Sequence, residues 1–252
     1  MSETTKGYAI VTGASSGIGA ATARLLAENG FSVIAAARRM EKLEELALES
    51  SNIMPLELDV TDQASVDSFT SKVSQYPISV LVNNAGGAFD ALSVQNSNPH
   101  SWQKTFEVNV VGAVRMVKAI TPLMIENKAG HIVIVSSTAG HVAYENGGSY
   151  VAAKFAETSL ARTLRLELNG LPIRVTEIAP GMVKTDEFAR TRFEGDVSKA
   201  AKVYEGVSEP LVAEDIAETI RWCVMLPSHI NIDSLVVRPT AQAANHKVHR
   251  VL

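Results

Sequence analysis

Apolar residues along the chain follow two alternating rhythms. Tyr8 to Val11 form a short unbroken apolar run that stops at Thr12-Gly13, and beyond it Ile18, Ala21, Leu25 and Leu26 recur at helical spacing until Asn29-Gly30. A strand, a tight turn, a helix and a glycine stop account for that order. The alternation then repeats, predicting further strands over residues 32–37, 53–58, 78–82, 131–135, 173–178 and 234–237. Helices are predicted over 40–49, after Asp62, and over 101–125, 149–168 and 213–225. Strands apolar on both faces and separated by helices belong to a parallel sheet covered on each side. The pattern therefore predicts a single α/β domain over 1–252, a doubly wound sheet of about seven strands. Pro55 lies inside the third strand, where its missing N–H requires a sheet edge. In the strand order 3-2-1-4-5-6 the third strand is the edge.

No repeat, low-complexity tract or linker divides the 252 residues. Between residues 184 and 206 the periodicity weakens into a polar stretch with apolar islands at Phe188, Phe193, Val203 and Tyr204, a candidate lid. Residues 239–252, with His246, Lys247, His249 and Arg250, read as a solvated or subunit-contacting tail. Lys plus Arg number 23 against 27 Asp plus Glu, a net charge of -4, so no basic field exists for nucleic acid or an anionic membrane. Cys223 has no partner for a disulfide, and MSETTKG lacks the apolar run of a signal peptide. No stretch approaches the roughly 18 apolar residues of a membrane span, so a cytoplasmic protein is expected. The six histidines lack metal-ligand spacing, and Ser137 and His141 lack a GxSxG elbow, so neither a metal nor a hydrolase triad is expected.

Gly13, Gly17 and Gly19 form TGxxxGxG between the first strand and helix. Glycines there permit a tight turn and let backbone N–H groups approach a pyrophosphate. Dinucleotide sites place an acidic residue about 20 positions farther on to hold the ribose hydroxyls. Here that position is Ala37, followed by Arg38 and Arg39, which favours a 2′-phosphate and hence NADP over NAD. Arg38 is expected to carry the contact, with Arg39 secondary and the more open to a purely solvated role. Tyr150 and Lys154 are four apart in a predicted helix and share a face. An ammonium beside a phenol favours the phenolate, which suits tyrosine to exchange a proton with an oxygen whose carbon gains or loses hydride.

Together these segments resemble the short-chain dehydrogenase/reductase superfamily over essentially the whole chain. The carrying residues are Thr12-Gly13-Ala14-Ser15-Ser16-Gly17-Ile18-Gly19, Asp59-Val60, Asn83-Asn84-Ala85-Gly86, Asn109, Ser136-Ser137, Tyr150-xxx-Lys154 and Pro180-Gly181, in the family's order and spacing. The resemblance implies a Rossmann fold in which Asp59 and Val60 flank the adenine and Asn83, Ala85 and Gly86 line the cofactor's ribose side. It implies that Pro180, Gly181, Val183 and Thr185 surround the nicotinamide. Ser137, Tyr150, Lys154 and Asn109 match the four catalytic positions, the serine bonding the substrate oxygen and the asparagine holding a water behind the lysine. Pairing through the helices near 108–125 and 149–168, which carry apolar residues on more than one face, implies a homo-oligomer, most simply a homotetramer.

Closer similarity is to the NADP-dependent 3-hydroxy acid dehydrogenases of that superfamily, on Ser137-Thr138-Ala139-Gly140, Gly181-Met182-Val183, Glu187-Phe188, Arg192-Phe193-x-Gly195-Asp196 and Arg238-Pro239-Thr240. This implies a small hydroxy acid or semialdehyde as substrate, with Ser137, Tyr144, Tyr150 and Arg192 around it and Arg192 opposite a carboxylate. The sequence departs from relatives at Tyr144-Glu145-Asn146-Gly147-Gly148, where Glu145 adds a negative charge. A subgroup reducing a larger aldehyde, the precursor of clavulanate, is the alternative, and a non-catalytic NADP-sensing protein is a more distant one.

Overall fold

The computed structural model describes residues 6–185, 187, 191–192 and 195–251. Strand β1 (Tyr8–Thr12) leads to helix α1 (Gly17–Glu28), then β2 (Ser32–Ala37), α2 (Met40–Ala47), β3 (Ile53–Glu57), α3 (Gln63–Val73) and β4 (Ile78–Asn83). The second half continues with α4 (Pro99–Phe106), α5 (Gly112–Glu126), β5 (Gly130–Val135), α6 (Gly148–Glu167), β6 (Ile173–Pro180), α7 (Val197–Lys202), α8 (Ala213–Met225) and β7 (Ser234–Val237). The seven strands are all parallel and lie in the order β3-β2-β1-β4-β5-β6-β7. Pro55 sits in β3 beside Ala35, on the sheet edge that its lost donor requires.

Strand geometry sends alternate side chains to opposite faces, and both faces of this sheet are buried. Ala9 and Val11 of β1 join Leu26 of α1, Leu43 of α2 and Ile220 of α8 in one core. Ile10, between them, joins Phe69 of α3, Met116 and Ile120 of α5 and Leu164 of α6 in the other. Each such fully buried Ile or Leu contributes ~1.5–3 kcal/mol relative to an exposed one. Local chemistry sets several helix starts: the Asp62 carboxylate accepts from Ala64 N at 3.1 Å, and Asn98 Oδ1 accepts from His100 N at 2.9 Å with Pro99 next in line.

Two features differ from the sequence expectation. The helix expected over 101–125 begins at Pro99 and is interrupted by one π-helical turn, Glu107–Val111, that carries Asn109. As one run, Pro99–Glu126 is long and apolar enough to cross a membrane by length and composition, which no stretch was expected to be. Here its apolar stripe, with Met116, Ile120 and Met124 fully buried, packs in the core beside the sheet. The tail keeps His246, Lys247, His249 and Arg250 exposed, but it is folded rather than loose. It forms a hairpin of β8 (Gln242–Ala244) and β9 (Lys247–Val248), buries Gln242, and bonds back to the body at Met182 N, 2.8 Å from Gln242 Oε1.

His131 on β5 is buried, with Nε2 2.8 Å from Thr176 Oγ1. Burial, reinforced by the Arg174 charge, lowers its pKa from 6.5 to about 3. The unfolded chain takes up this proton near pH 6.5, whereas the native protein does so only near pH 3. The stability from keeping His131 neutral is therefore present above pH 6.5 and lost as pH falls toward 3, at about 1.4 kcal/mol per pH unit from this group. Urea unfolding of wild type and His131→Asn from about pH 7 to 4 should show wild-type stability falling more steeply by that slope; parallel curves would contradict it.

Candidate active site

Between β1 and β4 the strand order reverses, and connections leave in opposite directions from the carboxyl ends of these two strands. A cavity of about 680 Å³ opens there. Its floor is the β1–α1 turn. Gly13 and Gly17 hold φ of +67° and +51°, and a Cβ on Gly19 would collide with the Gly13 carbonyl. Thr12 Oγ1 accepts from Asn84 N and Ala85 N, both at 3.0 Å, tying the two strand ends together. The first turn of α1 has no acidic residue, and its N-cap, Ser16, makes no side-chain cap. Its free amides and positive dipole end therefore suit an anion, and the cradle fits a dinucleotide's phosphates.

Expected cofactor residues Gly13, Ser15, Ser16, Gly17, Ile18, Arg38, Arg39, Asp59, Val60, Ala85, Gly86, Pro180, Gly181, Val183 and Thr185 all line this cavity. Gly19 and Asn83 lie behind the wall instead: Gly19 supports the turn by close packing, Asn83 is buried, and Asn84 takes the lining position. The two arginines of the lining differ in their contacts. Arg38 is exposed and makes no hydrogen bond among the described residues, whereas Arg39 donates to Ser15 Oγ at 2.7 Å and Ser16 Oγ at 3.2 Å. Arg39 also forks onto the Glu187 carboxylate at 2.5 and 2.8 Å, and Ser16 Oγ donates to Glu187 at 2.7 Å. Hydrogen bonding to Arg39 holds the Glu187 carboxyl below the ordinary range. Glu187 belongs to the expected lid, and nothing in its own segment signalled this clamp.

The other end of the cavity carries the chemistry-bearing side chains. Tyr150 and Lys154 lie one turn apart on α6, and the Lys154 ammonium sits 5.5 Å from the Tyr150 ring centroid. Ser137 follows β5; its Oγ accepts from Ala139 N at 3.1 Å and donates to Pro180 O at 3.3 Å. Ser136, the weaker candidate, also lines the cavity, with its Oγ 3.1 Å from Thr158 Oγ1. Ser137, Tyr144, Tyr150, Lys154 and Arg192 all line the same cavity. Asn109 does not: fully buried in the π-turn, its amide donates to Gly87 O at 2.8 Å and Thr105 O at 2.7 Å and accepts from Gly87 N at 3.2 Å. It thereby fixes the backbone after β4, where a Cβ on Gly86 would strike Asn109 Oδ1.

Arg192 lies over the Tyr144 ring, 5.5 Å from its centroid, and donates to Asn146 O at 3.2 Å. Burial raises the Tyr144 hydroxyl's pKa against the opposing Arg192 charge. Glu145 is exposed and does not line the cavity, so its charge is directed away from the site. Phe188, Arg190 and Phe193 of the lid, and Leu252 of the tail, lie outside the described residues. The tail contributes wall residues that sequence patterning did not single out: Gln242, Asn245, Val248 and Arg250. Asn245 donates to Val142 O at 2.9 Å and Arg250 to Val203 O at 3.0 Å, clasping the lid to the body. Beneath the site lie two buried carboxylates, Glu157 and Glu177; the i,i+3 spacing of Lys154 and Glu157 was the one signal available in the sequence.

The family model for short chain dehydrogenases matches residues 7–195. An uncharacterized oxidoreductase of Mycobacterium tuberculosis is 46% identical over 241 residues, 96% of this chain and 94% of that protein. The NADP-dependent 3-hydroxy acid dehydrogenase of Salmonella typhi is 38% identical over 245 residues, covering 96% of this chain and 98% of that protein. Among solved structures, the closed form of serine dehydrogenase complexed with NADP+ superimposes with a TM-score of 0.91 at 36% identity, covering 97% of this chain and 100% of that one. With the glycine cradle, the seven-stranded parallel sheet and the Tyr150/Lys154 helix face in one cavity, these matches place the chain in the short-chain dehydrogenase/reductase family.

Proposed function

We propose that the protein is an NADP-dependent oxidoreductase that moves hydride between the nicotinamide and a small hydroxy acid or its semialdehyde. One observation carries the reading: Ser137, Tyr150, Lys154 and Arg192 share a single cavity with the β1–α1 phosphate cradle. Bound NADP supplies the hydride donor or acceptor, and the chain's residues do the rest. Ser137 and Tyr150 hold the substrate oxygen, and Tyr150 gives it a proton on reduction or takes one on oxidation. The Lys154 ammonium favours the phenolate and offers a donor to the cofactor's ribose. Asn109 shapes the backbone that carries Gly86 and Gly87, a supporting role in which its side chain meets no reacting atom.

For the 2′-phosphate, Arg39 is the better-placed cation, already anchored over Ser15 and Ser16, with Arg38 free in solvent to join it. Arg192, which lies over Tyr144 and lines the cavity, is the residue assigned to a substrate carboxylate, since a small polar substrate gains little from apolar burial and needs a fixed charge to orient it. Similarity to a 3-hydroxy acid dehydrogenase and a serine dehydrogenase supports the small hydroxy acid over a larger aldehyde. Exposed apolar side chains on α5 and α6, among them Val114, Ile125, Phe155 and Leu166, support pairing into the cytoplasmic homotetramer that completes this reading.

Tyr150→Phe should fold and bind NADPH yet lose at least ~100-fold in kcat, the usual contribution of general acid-base catalysis; near wild-type turnover would refute the assignment. Arg39→Ala should raise KM for NADPH ~10-fold or more and leave KM for NADH nearly unchanged, since a charge-assisted bond contributes about 1.5–3 kcal/mol. An equal effect on both cofactors would remove Arg39 from the 2′-phosphate. Arg192→Leu, tested on a panel of hydroxy acids, semialdehydes and uncharged aldehydes, should raise KM ~10-fold or more for carboxylates alone. Equal effects on charged and uncharged substrates would assign Arg192 to the architecture of the lid.

A further inference from the structure

Lys154 is buried, at 5% exposure, and Glu157, one turn farther along α6, is 2% exposed. Lys154 Nζ donates to Val135 O at 3.0 Å and lies 2.7 Å from Glu157 Oε2. Among the described residues Val135 O accepts a hydrogen bond from this ammonium and the Glu157 contact is an ion pair, so of its three donors at least one remains for the cavity that Lys154 lines. Val135 O is neutral and compensates no charge. A second buried carboxylate close by, Glu177 on β6, is committed elsewhere: Oε1 accepts from Thr158 at 2.6 Å and meets His141 Nε2 at 3.0 Å, and Oε2 accepts from Ser234 at 2.9 Å. Glu157 is the carboxylate in contact with the ammonium.

We propose that Glu157 is a positioning residue for the reaction: its carboxylate is the buried counter-charge that keeps Lys154 an ammonium and holds it beside Tyr150. This rests on the reading of Tyr150 and Lys154 given above. Isolated burial of an ammonium is costly and favours the neutral amine. At Lys154, burial works in that direction, and the charges of Glu157 and then Tyr150 outweigh it, so the net shift is upward. Glu157 bears the strain of the arrangement. Burial lifts its carboxyl, the Lys154 charge pulls it back, and repulsion from Glu177 adds to the rise, leaving it at about 7. Lys154 on the same helix and Glu177 from β6 are the charged groups acting on Glu157 among the described residues, with His141, from the turn after β5, facing Glu177. Burial works against ionisation of Glu177, and hydrogen bonds from Thr158 and Ser234 outweigh it and hold its carboxyl below the ordinary range.

Removing the Glu157 charge acts on the active site in one direction. An ammonium without its counter-charge gives up its proton at lower pH, and with it goes the positive charge that favours the phenolate and so lets Tyr150 release its proton to the substrate oxygen. NADPH-dependent carbonyl reduction then fails at lower pH. In Glu157→Gln the alkaline limb of the kcat profile should move down by about one pH unit or more, the size of effect that one close opposite charge exerts, and Glu157→Asp should restore much of it. A purely structural residue would lower kcat or Tm and leave the limb in place, and that result would overturn the proposal. Should Glu157→Gln fail to fold, ¹⁵N-lysine spectra of the wild-type protein, assigned with Lys154→Arg, read the ammonium directly. Ionisation of Lys154 above that of exposed lysines supports the proposal, and ionisation at or below it overturns it. Full turnover in Tyr150→Phe would refute the chemistry proposed above while leaving this measurement of the pair intact, so the two failures are distinguishable.

Discussion

A parallel sheet must be covered on both faces, and that requirement shapes everything else in this molecule. Every crossover carries the chain from the carboxyl end of one strand, across a helix, to the amino end of the next, so all seven carboxyl ends gather on one side. Where the order turns between β1 and β4, successive connections part to opposite faces and cannot fill the space between them. The cavity is thus a consequence of covering the two apolar faces that hold Ile10 on one side and Ala9 and Val11 on the other. Ser15, Ser137 and Arg39 of the site occupy turns that follow strand ends, whereas Tyr150 and Lys154 project from α6.

Charge is distributed in that cavity in two different ways. At the cradle, Arg39 and Glu187 are each about two-fifths or more exposed, and their bond remains in contact with water. Such a pair contributes little to stability and can exchange partners at low cost, which suits a site that must admit and release an anionic ligand. Beneath Tyr150 the opposite holds. Lys154 and Glu157 are sealed from solvent, where breaking a pair by removing one partner typically costs about 3–5 kcal/mol. Lid and tail link the two ends: Tyr204 OH donates to Val183 O at 2.8 Å, and Arg250 ties the lid segment to the terminal strand pair.

Sequence alone determined the strand and helix order, the edge position of Pro55, the glycine cradle and the shared face of Tyr150 and Lys154. Those features depend on short-range rules: the two periodicities of side-chain direction, the lost donor of proline, the conformational freedom of glycine at Gly13 and Gly17, and helical spacing. Only the tertiary structure decided the rest. Which arginine would stand over the phosphate cradle depended on Glu187, 148 positions away in sequence from Arg39. Whether residues 239–252 were tail or wall depended on Gln242 reaching Met182 and Asn245 reaching Val142. The depth of Asn109 and Asn83, set behind the cavity wall by the π-turn and the end of β4, is not written in their spacing. The buried charge pair was half-written in the chain as an i,i+3 spacing, which on most helices marks a solvated surface pair. Packing of α6 against the sheet buried it, and a contact that water would have made unimportant became one that sets the charge beside the tyrosine.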